Sequence, residues 1–206
     1  MPEPAGHHPP IVAPLPDATT ERLELRRFTR DDLDALAVVF AKPEVWEFPY
    51  GRAFSRDETA TFLENQIRHW DTCGFGCWLV IERATDRVIG YAGLSVPMFL
   101  PAILPAVEVG WRFDPDVWGN GYATEAARCA LDQAFTTLGL AEVCSVVQAE
   151  NAASVSVAER LGMRLDRIAT IPANDQRGEL PAALFWITRE EWATAITEAS
   201  DPAPPA

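Results

Sequence analysis

Two glycines one residue apart, Gly119 and Gly121, stand between a strand-like run and a helix-like one. Val107 to Phe113 is apolar and β-prone, Asp114-Pro115-Asp116 is a turn, and an apolar stripe at helical period starts at Ala123. A strand, a loop with bare backbone and a helix start bring several unpaired N–H groups and the positive end of a helix dipole to one point. The guest favoured there is an anion, most simply a phosphate. A dinucleotide fingerprint would need a third glycine and a Walker loop a Lys-Ser/Thr pair, and both are missing. Two further groups flank this loop. Glu108 is a carboxylate inside an otherwise apolar strand, AVEVGW, and alternation puts it on one face with Gly110 and Arg112. Asn151 and Ser154 fit a helix N-cap and the residue three positions inside it.

The elements that must position these groups can be read from periodicity. Residues 20–28 read as a strand with Leu23 and Leu25 on one face. Thr29 caps a helix whose stripe is Leu33, Leu36, Ala37 and Phe40, and Ser55 opens a second helix ending near Gly74. Residues 77–81 and 88–95 read as a hairpin, followed by a loop to Pro105 and the strand 107–113. Ala123, Ala126, Ala127, Ala130, Leu131, Ala134, Phe135 and Leu138 form the stripe of the next helix. A strand at 142–149, a helix closing at Leu161-Gly162 and strands at 163–171 and 183–188 complete the order β-α-α-β-β-β-α-β-α-β-β. The predicted fold is α/β, one domain over 18–197. The proline-rich residues 1–17 and the tail 198–206 are expected to be disordered.

The 206 residues carry 17 Lys+Arg against 30 Asp+Glu, a formal charge of -13, which argues against a nucleic-acid-binding face. The acidity suits a cationic partner such as an amine, or simply a solvated surface. Cys73, Cys77, Cys129 and Cys144 lack metal-ligand spacing with His7, His8 or His69, so no metal and a reducing, cytoplasmic setting are expected. Neither a signal peptide nor a membrane span is visible.

WGNGYATEA at 118–126 and ENAASVSVAERLGM at 150–163 resemble the two cofactor motifs of the GNAT superfamily of acyl-CoA-dependent N-acetyltransferases. With TERLELRR at the start, the chain is most similar to the Rim-type branch, whose best-known members acetylate N-termini of ribosomal proteins. The resemblance covers residues 19–190. It implies a mixed, mostly antiparallel sheet with two splayed parallel strands, flanked by helices. It also implies acetyl-CoA as co-substrate and an amine acceptor, either a protein N-terminus or a small molecule. Trp118 replaces the Gln or Arg common three residues before Gly121, which shifts diphosphate binding onto backbone N–H groups.

By the same resemblance Val109, Gly110 and Trp111 line the pantetheine arm, with a backbone N–H from around Val109 or Gly110 as donor to the acyl oxygen. Gly110 fits either a bulge or a packing glycine. Trp118, Gly119, Asn120, Gly121, Tyr122, Ala123 and Thr124 form the phosphate site, and Asn151 bonds the arm. Glu108 is the candidate general base, since an amine of pKa near ~10 must lose a proton. Ala158 stands where many relatives have an acidic tyrosine, so Ser154 is the candidate proton donor to sulfur, with Ser156 second. Trp46 and Tyr50 are candidates for stacking on the acceptor or for packing in the core, with Glu44 and Glu47 near the acceptor's ammonium. The exposed 97–105 loop fits an acceptor wall or a subunit contact, and monomer and homodimer both stay open. The reading from another class is a non-catalytic acyl-CoA-binding sensor.

Overall fold

The structure is a computed structural model describing residues 14–175 and 177–200, with side chains to Thr197. Its strands are β1 (Ala18–Thr19), β2 (Leu23–Arg26), β3 (Cys77–Glu82), β4 (Arg87–Ser95), β5 (Glu108–Phe113), β6 (Glu142–Gln148), β7 (Arg164–Ile171) and β8 (Leu180–Thr188). They form one sheet in the order β1-β2-β3-β4-β5-β6-β8-β7. Each neighbouring pair is antiparallel except β5 and β6. The mixed, mostly antiparallel α/β sheet read from the sequence is therefore the observed one.

The helices are α1 (Leu33–Phe40), α2 (Glu47–Tyr50), α3 (Arg56–Cys73), α4 (Tyr122–Thr136), α5 (Ala152–Arg160) and α6 (Arg189–Ser200). Ser55 caps α3 by accepting from Glu58 N–H while the Glu58 carboxylate accepts from Ser55 N–H at 2.8 Å, a reciprocal box that fixes where the helix starts. On α4, Ala126, Ala127, Ala130 and Ala134 are fully buried. Side chains this small let the helix lie close on β4 and β5, carrying its N-terminus to the end of β5. A second core, around Leu36, Phe40, Leu63 and Leu79, joins α1 and α3 to the opposite face.

Three departures have local causes. Leu15 is fully buried, with its N–H on Gly74 O at 2.8 Å and its carbonyl accepting from Arg27 at 2.7 Å, so packing begins inside the stretch expected to be disordered. Its proline neighbours hid it; residues 1–13 and 201–206 lie outside the described residues. Helix α6, absent from the predicted order, follows β8 without a loop and is pinned by Trp192, which donates to Asp132 at 3.1 Å. The stretch between the first two predicted helices, given no element in the predicted order, forms a 3-10 turn at Pro43–Trp46 and the short α2, broken by a non-helical Phe48.

Candidate active site

Strands β5 and β6 meet at a single rung, Glu108 opposite Cys144, where Cys144 N–H donates to Val107 O at 2.9 Å. Beyond it they part. In a parallel pair of this phase Val109 N–H turns to the carbonyl of Cys144, and Gly110 N–H turns the other way, toward Gly93 of β4. The next N–H facing the widening gap is that of Trp111. The N–H groups of Val109 and Gly110 thus both face neighbouring strands, and that of Trp111 faces the gap. Gly110 sits in an unbroken β4–β5 register and marks no bulge. A Cβ there would meet nothing within 4 Å, so the glycine leaves open floor in the cleft.

The Glu108 carboxylate occupies the crotch of the fork. Oε1 accepts from Val146 N–H at 3.3 Å, taking the place of a ladder partner on β6. Oε2 accepts from Ser95 Oγ at 3.3 Å, across the β4–β5 pair. The side chain is 8% exposed. Burial pushes its pKa up to about 7, and the bonds from Val146 and Ser95 only partly oppose this. Thiols flank it: Cys77 is buried and Cys144 fully buried, and burial together with the Glu108 charge drives both well above the usual thiol range. Neither has the depressed pKa of a nucleophilic cysteine.

At the other end of β5 the chain is anchored before it turns. Asp114 is buried and holds Lys42 at 2.6 Å, Arg87 at 3.0 Å and Asp116 N–H at 3.0 Å. Burial alone would raise its pKa, but these partners, Lys42 foremost, hold it below the usual carboxylate value. Gly119 and Gly121 then take φ of 80° and 81°, a region that other residues enter only with strain. The outcome is a bare row of donors. Among the described residues, no backbone group accepts from the N–H groups of 119 through 124. Trp118 is 51% exposed and donates Nε1–H to Phe113 O at 2.9 Å, bracing the loop from outside.

Arg22, in the turn before β2, was not singled out by the sequence. Its guanidinium donates to Asn120 O at 2.9 Å, pairs with Glu125 of α4 at 2.6 Å and lies 4.5 Å over the Tyr122 ring. Nothing in the local pattern TERLE points across 103 residues to Glu125.

On α5, Asn151 caps through Oδ1, accepting from Ser154 N–H at 3.0 Å. The Ser154 hydroxyl is half-buried and makes no hydrogen bond among the described residues. Ala158 is fully buried. Trp46 departs from the stacking expectation: it is 3% exposed, stacked on Phe54 at 3.7 Å, with Arg112 lying 4.1 Å over it. It is a wall, not an open stacking platform. Tyr50 is half-buried beside it. Arg112 donates to Phe48 O at 2.9 Å and to Val45 O, clamping this aromatic segment to β5.

One continuous cleft joins the loop, the fork and the aromatic segment. Of the residues expected to form the site, Val109 alone stays out of it, its side chain fully buried in the core beneath α4. No group of His, Cys, Asp and Glu suited to a metal occurs among the described residues, and no helix there is long and apolar enough to cross a membrane.

The site is thus a sheet forked at one parallel rung, with a row of unshared backbone N–H groups at one end of the gap and a buried carboxylate at the other. The chain belongs to the acetyltransferase (GNAT) domain family, whose model matches residues 22–164, and it is an N-acetyltransferase. It is 30% identical to the FsC-acetyl coenzyme A-N(2)-transacetylase of Aspergillus fumigatus, over 86% of this chain and 78% of that one. An acetyltransferase structure from Agrobacterium tumefaciens is 31% identical, with a TM-score of 0.67 over 84% of this chain and 94% of that one. The ribosomal-protein-S5-alanine acetyltransferase of Vibrio fischeri, 17% identical with a TM-score of 0.67 over 85% and 98%, shares the fold.

Proposed function

We propose that the protein transfers an acetyl group from acetyl-CoA directly to a primary amine held in the same cleft. The observation that carries this reading is the fork, with the buried Glu108 at its apex and, beyond its open end, the six consecutive N–H groups of 119–124, unpaired among the described residues. The residues present suit the co-substrate. The donor row and the dipole of α4 fit a diphosphate. The bare floor at Gly110 and the gap-facing edge of Trp111 fit an extended amide-bearing arm. Acetyl-CoA supplies the acetyl thioester.

Glu108, with a pKa of about 7, is partly ionised at neutral pH and is the group that takes the proton an ammonium must lose. Trp111 N–H is the donor for charge developing on the acyl oxygen. The Asn151 side-chain amide, its oxygen committed to the cap, keeps its N–H groups for the arm. The half-buried Ser154 hydroxyl hydrogen-bonds the leaving sulfur and relays to it a proton that solvent resupplies to the hydroxyl. Direct transfer suits the surroundings of Glu108: Cys77 and Cys144 are buried, and burial pushes both thiols up and away from a nucleophile's range. The free cysteines favour a cytoplasmic setting.

For the acceptor, the likeness of 118–126 and 150–163 to Rim-type motifs favours a peptide N-terminus, and Tyr50, Glu44 and Glu47 line that end of the cleft. The name of the fungal relative favours a small-molecule amine instead. Thiol release should be measured with acetyl-CoA against peptides beginning Ala, Ser, Thr or Met and against polyamines and aminoglycosides. Direct transfer requires double-reciprocal lines that intersect; parallel lines would replace it with an acetyl-enzyme route, and thiol release with no amine in the panel would reject the acceptor class.

A further inference from the structure

A physical difficulty sits in the diphosphate cradle. Glu125 lies in the first turn of α4, where a bare carboxylate would repel the anion that the loop invites. Its charge is met on every side. Oε1 accepts from Thr20 Oγ at 2.5 Å and Arg22 N–H at 3.0 Å, and Oε2 accepts from Arg22 Nε at 2.7 Å and Nη2 at 2.6 Å. The same guanidinium donates from Nη1 to Asn120 O at 2.9 Å. A trans peptide points its C=O and its following N–H in opposite directions. Holding Asn120 O on the Arg22 side therefore aims Gly121 N–H away from Arg22. The hold matters because Gly121, at φ 81° and without a Cβ, resists rotation of that peptide less than any other residue would. Arg22 stands close enough that a Cβ on Gly121 would lie 3.6 Å from Nη2.

We propose that Arg22 is the positioning residue of the diphosphate loop: it fixes the 120–121 peptide with Gly121 N–H toward the anion and cancels the Glu125 carboxylate on the same helix turn. The inference rests on the diphosphate reading given above. It assigns the cation missing at Trp118 a different origin, in the turn before β2, and an indirect action, through Asn120 and Glu125.

The test is CoA binding by calorimetry on the full chain, with turnover of acetyl-CoA and of acetyl-pantetheine, which lacks the diphosphate. Arg22→Ala should weaken CoA by roughly 10- to 100-fold, the range for loss of a charge-assisted network. It should leave kcat/KM for acetyl-pantetheine within about threefold, since that substrate never meets the loop. Arg22→Ala with Glu125→Gln should recover part of the CoA affinity, because the carboxylate left bare is then gone while the 120–121 peptide stays unheld. Glu125→Gln alone should bind CoA at least as tightly as the parent, an outcome that does not depend on Arg22→Ala folding. Equal loss with both thioesters would mean a merely structural tie and overturn the proposal, as would a double variant no better than Arg22→Ala, or weakened CoA binding by Glu125→Gln. If the parent chain binds no CoA, the diphosphate reading itself fails; if it binds and Arg22→Ala binds equally, only this inference does.

Discussion

The two ends of the cleft are built from different material. The loop end is backbone: consecutive N–H groups of 119–124 presented at a helix start, with side chains acting only as braces from behind. The fork end is a side chain: one carboxylate in the place of a ladder rung, held by Val146 N–H and Ser95 Oγ. A backbone site has a fixed polarity that pH does not alter. A buried carboxylate changes charge near neutrality and carries a desolvation cost in one of its two states. Binding belongs where the field must be constant, and proton transfer where it must switch. The difference predicts that the two ends fail separately when damaged.

Glu108→Gln should give the largest effect. Gln keeps an oxygen to accept from Val146 N–H but takes no proton from an ammonium. We expect kcat to fall by roughly 100-fold or more, the usual contribution of a positioned base, while CoA affinity stays within about twofold. The parent rate should rise with pH through about 7. In the variant that step should vanish. A surviving step at the same pH would assign it to another group and break the division between the two ends.

Gly121→Val is the reciprocal lesion. A β-branched residue at φ 81° is strained whatever the space around it. CoA affinity should fall roughly 10- to 100-fold, corresponding to ~1–3 kcal/mol of backbone strain. The rate at saturating acetyl-CoA should change far less. A fall in kcat with unaltered affinity would mean that the loop does not hold the diphosphate.

The two ends also differed in how far the sequence revealed them. The loop was legible because Gly119 and Gly121 do something only glycine does easily, and because the strand and helix beside them carry clear periods. Glu108 was legible as an acid out of place in an apolar strand. Its partners were not: Ser95 and Val146 lie 13 and 38 residues away, and only strand order brings them together. Which N–H near Gly110 faces the gap was not legible, because it depends on the phase of a single parallel rung, which composition does not encode. Trp46 misled because an aromatic residue reads alike as wall or as platform until its neighbours, Phe54 and Arg112, are known. Leu15 and Arg22 were hidden for the same reason: each finds its partners at long range.

Stability gives a finer cut between the ends. The Glu108 pKa is raised from 4.5 to about 7, so between those values the folded chain binds more protons than the unfolded one. Linkage then makes the parent lose stability as pH rises from 4.5 toward 7, with the loss complete above 7. The size is about 3 kcal/mol at most, from 1.36 kcal/mol for each unit. Glu108→Gln does not titrate. Its melting temperature relative to the parent should therefore climb between pH 5 and 8, while Gly121→Val should show no such pH-dependent gain. A flat difference for Glu108→Gln would mean that the carboxylate is better solvated than its 8% exposure implies.

Ser154→Ala should have the smallest effect and the sharpest interpretation. The cap on α5 uses the backbone N–H of residue 154, not its hydroxyl, so alanine leaves the cap intact. Alanine is also the better helix former, by a few tenths of a kcal/mol. The melting temperature should hold or rise slightly. If the hydroxyl protonates the leaving sulfur, kcat should fall by about three- to tenfold with acetyl-CoA, the lower reach of acid catalysis. It should fall hardly at all with an acetyl aryl thioester, whose thiolate is stable enough to depart unaided. An equal fall with both would move Ser154 from proton donor to arm contact. Asn151→Ala supplies the contrast, because it removes the cap itself and should cost ~1 kcal/mol of stability whichever thioester is used.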